Sequence, residues 1–167
     1  ATALNGSSSA MDTITDYTAA KVVIEIDHSA STGTFVELDD FTDGIDDATA
    51  LFSTITGAAD LGGVTANTNI LRLNLAGNLA STDAVETALE LGGDLQLQAG
   101  GAAAIDDVFF VLYDDGTDSF LAEVRVLNAT ANNARFTAGT LNATNLVKFQ
   151  GESDHTANIL AADFVFN

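Results

Sequence analysis

The chain predicts a mostly β fold, an antiparallel β-sandwich with one or two short helices in its connections. Three observations predict it: strand-length runs of β-branched and aromatic residues, turns rich in Asp, Gly and Thr between them, and only two stretches with helical signatures. At 167 residues and 47% apolar content, the chain is long enough for one domain, which buries roughly 70% of its unfolded surface and needs no disulfide. The expected organisation is a flexible or exchanged segment over residues 1–10 and a single sandwich over 11–167. No proline and no internal Gly/Ser linker marks a boundary inside it.

The elements follow in order. Residues 21–27 (KVVIEID) are β-branched and alternate at their end, and residues 34–38 (TFVEL) follow the Ser31-Thr32-Gly33 turn. Residues 46–55 (DDATALFSTI) form the weaker of the two helix candidates. Residues 69–75 (NILRLNL) place Ile70 beside an alternating Leu71, Leu73 and Leu75 face. Ser81 and Thr82 are placed to cap a helix over residues 83–91, with acids near its start and Gly92-Gly93 after it. The clearest hairpin joins 108–113 (VFFVLY) to 119–127 (SFLAEVRVL) through Asp114-Asp115-Gly116-Thr117-Asp118, because Gly tolerates the positive φ of a tight turn. Residues 146–149 and 162–166 read as closing strands.

Eighteen aspartates and six glutamates face five basic residues, Lys21, Arg72, Arg125, Arg135 and Lys148, for a net charge of −19. A disordered acidic tail is poor in apolar residues, so this chain is a folded domain with an acidic skin whose self-repulsion opposes folding unless counter-ions neutralise it. Five scattered cations cannot neutralise a run of phosphates, which excludes nucleic acid as a partner. No apolar stretch approaches the roughly 20 residues of a transmembrane helix. With no cysteine, thiol catalysis and thiolate metal sites are excluded as well.

Asp outnumbers Glu three to one, and short carboxylates in Gly- and Thr-rich turns are hard oxygen ligands suited to Ca²⁺. The candidate ligands lie in three clusters: Asp39, Asp40 and Asp43; Asp106 beside Asp107; and Asp114, Asp115 and Asp118. None has the twelve-residue EF-hand spacing. Turn chemistry explains residues 114–118 equally well, and helix capping by Asp43 or Asp46 competes with calcium in the first cluster. Catalysis has little to draw on. His28 and His155 each sit among turn-like residues and read as solvated loop histidines, and no nucleophile elbow or phosphate loop is present. No enzyme activity is expected.

Residues 11–19 (MDTITDYTA), the DDGTD hairpin at 114–118 and residues 161–167 (AADFVFN) together resemble parts of RTX proteins, and of S-layer-like surface proteins exported by type I systems. Residues 11–19 (MDTITDYTA) resemble the D-x-I-x-D-F segment that follows their glycine-rich calcium repeats, with Tyr17 in place of the usual Phe. Residues 161–167 (AADFVFN) resemble their uncleaved secretion tail, and the DDGTD hairpin is similar to one common near their C-termini. No G-G-x-G-x-D repeat is present, so a calcium β-roll is not expected. The resemblance implies type I export, an extracellular or cell-surface location and dependence on calcium. The expected function is a secreted structural protein that self-assembles into a homopolymeric surface layer or filament, with cell-surface polysaccharide as a further candidate partner. The alternative is a non-catalytic C-terminal binding or secretion module of a larger RTX-type adhesin.

Overall fold

The computed structural model describes residues 2–5, 11–18, 23–27, 33–39, 41, 51–75 and 79–166. These residues are mostly β. The first strands are β1 (Thr2–Asn5), β2 (Asp12–Ile14), β3 (Ile24–Asp27), β4 (Thr34–Phe35), β5 (Phe52–Ile55), β6 (Ala59–Asp60) and β7 (Ile70–Leu73). After helix α1 (Thr82–Leu89) come β8 (Leu97–Gln98), β9 (Asp107–Asp114), β10 (Ser119–Val126) and β11 (Leu141–Phe149). The one-turn helix α2 (His155–Asn158) and strand β12 (Phe164–Phe166) complete the order.

A large sheet runs β2-β11-β10-β9-β7-β5, with β4 also paired to β9. A small sheet runs β1-β3-β12, and β6 pairs with β8. The hairpin β9–β10 and its neighbour β11 are antiparallel. The other pairs among the described residues are parallel, so the sheets are mixed where antiparallel pairing was expected. Parallel neighbours need long crossovers, and the chain supplies them: β6 lies between β5 and β7, and α1 and β8 lie between β7 and β9.

Strand β9 explains the uninterrupted apolar run VFFVLY. Successive side chains of a strand point to opposite faces, and here both faces are covered. Val108, Phe110 and Leu112 enter one core with Ile24, Ile26, Phe164 and Phe166 of the small sheet. Phe109, Val111 and Tyr113 enter the other, with Val85, Ala88 and Leu89 of α1 and with Phe136. The alternation in β7 sorts the same way, with Leu71 and Leu73 in the α1-side core and Ile70 in the other.

Helix α1 forms where its caps place it. Ser81 Oγ accepts the Ala84 N–H at 3.2 Å, Asp83 sits in the positive first turn, and Gly92 adopts φ 94° just past the end. Of the helix expected over residues 46–55, the last four described residues are instead strand β5. Its pairing with β7 from Phe52–Ile70 to Ile55–Leu73 overrides a weak helical pattern. Residues 46–50 lie outside the described residues. In the segment 1–10, Thr2–Asn5 pair in parallel with β3 of the same chain.

Candidate functional site

The acidic turn between β9 and β10 gathers Asp114, Asp115 and Asp118 into one hydrogen-bonded cluster. Gly116 takes the positive φ (89°) that the Asp-Gly signal anticipates. Asp115 Oδ1 accepts two backbone N–H groups, from Thr117 and Asp118, each at 2.8 Å. Asp114 Oδ1 accepts the Gly116 N–H at 3.1 Å, while its Oδ2 meets His155 Nδ1 at 2.7 Å. Asp118 accepts the Gly151 N–H at 2.6 Å and forms an ion pair with Lys148. The Lys148 contact, then the Gly151 N–H, hold the Asp118 carboxyl below the usual carboxylate range. Ser119 Oγ donates to the Glu152 carbonyl at 2.7 Å. The hairpin tip is thereby tied to the segment carrying Gly151, Glu152 and α2.

His155 is not the solvated loop histidine expected. It is the first residue of α2, 1% exposed, and its Nε2 is buried without a hydrogen bond. Burial pushes its pKa below the ordinary value, Asp114 opposes that shift, and Arg72 adds to it. A neutral ring donating Nδ1–H to Asp114 fits these surroundings. Arg72 of β7 fixes the other end of α2, donating to the Thr156 carbonyl at 3.1 Å and to the Ile159 carbonyl while lying 4.6 Å over the Phe52 ring. Asp154 caps the start of α2 through the Ala157 N–H. A carboxylate beside an imidazole has the form of a base and its orienting group, but both ring nitrogens here are enclosed. The contact holds the tip of the hairpin in place.

The remaining candidate ligands do not join this cluster. Asp39 Oδ1 accepts the Asn67 N–H at 3.3 Å. Asp106, at the far end of β9, has a side chain 58% exposed that meets Arg125 at 3.3 Å, and Arg125 also pairs with Glu123 at 3.1 Å. Asp40, Asp43, Asp46 and His28 lie outside the described residues. Among the described residues no three His, Asp or Glu side chains converge as a metal-binding group.

Two contacts escape a reading by clusters. Tyr17 Oη donates to Asp163 Oδ2 at 2.5 Å, and Asp163, fully buried, also accepts the Leu160 N–H at 2.8 Å. Burial, then Asp163, push the Tyr17 phenol far above its ordinary value. The Tyr in place of Phe was the available signal. The second contact is made by α1 and its C-cap residue Glu90. Glu90 Oε1 accepts the N–H groups of Thr140 (2.8 Å) and Leu141 (3.0 Å), and Glu86 Oε1 accepts that of Ala143 (2.7 Å). Glutamates four residues apart on one helix face were visible in the sequence, but not what they face. No protein-family model, curated protein or solved structure matches this chain.

Proposed function

We propose that this chain is a secreted, non-catalytic structural domain that self-assembles into an extracellular layer or filament, with calcium moderating its surface charge. The observation that carries the reading is how the described carboxylates are used. Asp114, Asp115, Asp118, Glu86 and Glu90 tie turns and strand ends of a β-rich body, while a net charge of −19 makes copies repel one another. Copies that pack closely then need divalent counter-ions between them. The carboxylates of Asp39, Asp40, Asp43 and Asp106 are the proposed contributors, while Asp114, Asp115 and Asp118 are already engaged within the fold.

Negative-stain electron microscopy of the purified protein, with millimolar calcium and with chelator, tests this. Ordered sheets or filaments that disappear with chelator are expected. Discrete particles in both conditions refute self-assembly.

A second reading, a binding or secretion module of a larger RTX-type protein, is favoured by one specific contact. Two of the segments that resemble that family meet in space where Tyr17 bonds Asp163. In that case the particles stay discrete and the domain serves chains attached to it.

A further inference from the structure

Sheet edges are where β proteins join, and this one closes one of its edges in an unusual way. Along β11, the outer edge is covered by two different elements. At Val147–Phe149 it pairs with strand β2. Nearer its start, the N–H groups of Leu141 and Ala143 are met by carboxylate oxygens of Glu90, the C-cap of α1, and of Glu86 within it. Glu90 also meets the N–H of Thr140 just before the strand, which is shared with the Thr137 carbonyl. These oxygens act as the carbonyls of a neighbouring strand would, so a helix stands in for a strand. The substitution is partial, because carboxylates only accept and offer nothing to the outward carbonyls of β11. The helix is also incompletely packed on one flank. A groove of about 470 Å³ runs between Ala84, Thr87 and Ala88 of α1 and the side chains of Leu75 and Leu79.

We infer that α1 is a displaceable cover over a strand-accepting edge, and that the strand it holds off is β5 of a second copy of this chain. The inference rests on the self-assembly reading and specifies its contact. Charge selects the occupant. In a chain of −19, a strand-to-strand contact is opposed least where neither strand carries a carboxylate, with counter-ions left to screen the surfaces around it. The first five residues of β11 (LNATN) are uncharged, as is the whole of β5 (FSTI), which among the described residues is the strand at the opposite end of the large sheet. Strand β5 also carries none of the lysine, proline or inward charge that normally blunts an edge. Joining two different edges is a heterologous contact, which extends the large sheet from copy to copy into a ring or, where the rotation does not close, an open filament. The buried face of α1, with Val85, Ala88 and Leu89 in the core, keeps the cover shut in the isolated molecule.

Two measurements test this. Native-state hydrogen exchange on the wild-type protein should release the Thr140, Leu141 and Ala143 amides through a local opening, well before the amides of β10. Exchange of all three only at the rate of global unfolding overturns the proposal. The variant Glu86→Ala/Glu90→Ala, checked for folding by circular dichroism, should form concentration-dependent oligomers in sedimentation velocity. Adding Thr54→Lys, at the exposed position of β5, should return them to monomers. A folded double variant that stays monomeric overturns the cover, and oligomers that persist with Thr54→Lys overturn β5 as the occupant. Wild-type particles that stay discrete in the microscope, beside an opening seen by exchange, refute self-assembly and leave the cover intact.

Discussion

The two ends of the β9–β10 hairpin carry the same residue type and use it differently. At the turn, three aspartates are bound into the fold: Asp115 holds two N–H groups, Asp118 holds Gly151 and Lys148, and Asp114 holds Gly116 and a buried imidazole. At the open end, Asp107 is buried and accepts the Ala104 N–H at 2.6 Å, but its neighbour Asp106 lies 58% exposed and reaches across to Arg125, whose other contact is Glu123. The difference teaches that an aspartate cluster in a sequence gives no measure of what its members contribute. Burial of the partner decides that, because a buried donor stripped of its acceptor loses what water cannot restore.

The comparison yields three predictions. The largest effect belongs to Asp114→Ala, which strands the buried His155 ring and frees the Gly116 N–H. It should lower stability by about 2–3 kcal/mol in denaturant unfolding, and a loss below that of Asp106→Ala would break the contrast. Next comes acid. The folded-state pKa of His155 lies below its unfolded value, so the unfolded chain takes up the proton first. The stability this group contributes is present above about pH 6.5 and is lost as pH falls through the lower folded value. Melting temperature should therefore decline below that pH, and His155→Gln should flatten the decline. The smallest effect is expected for Asp106→Ala, within about 0.5 kcal/mol, since an exposed ion pair is screened by solvent.

Where local chemistry decides structure, the sequence was readable. The Asp-Gly turn, the Ser81 cap and the strand 70–73 appear within a residue or two of their expected places, because each depends on neighbours in the chain. Strand β11 was only half visible. Its first part alternates buried Leu141 and Ala143 with exposed Asn142 and Thr144, and small polar residues hide that alternation. Pairing was less legible still. Nothing local says that β5 lies beside β7, or that β12 lies beside β3, because parallel partners are chosen by long-range burial. His155 was misread for the same reason. Its neighbours in sequence are Asp154 and Thr156, yet the groups that enclose it are Asp114 and Arg72, 41 and 83 residues away. The calcium-ligand clusters were legible as composition, but the partners that occupy the aspartates of the turn come from residues 116–118 and from the distant 148–155 segment.

The small sheet sets an order of events on the growing chain. Its central strand β3 is complete by residue 27, yet its neighbour β12 is made only at residues 164–166, and the Tyr17 hydroxyl waits for Asp163. Such distant pairing makes closure slow and late. Ile24 and Ile26 therefore remain without their partners Phe164 and Phe166 throughout synthesis of nearly everything between them. The face of the small sheet that Ile24 and Ile26 share with Phe164 and Phe166 can be completed only after β12 has been made.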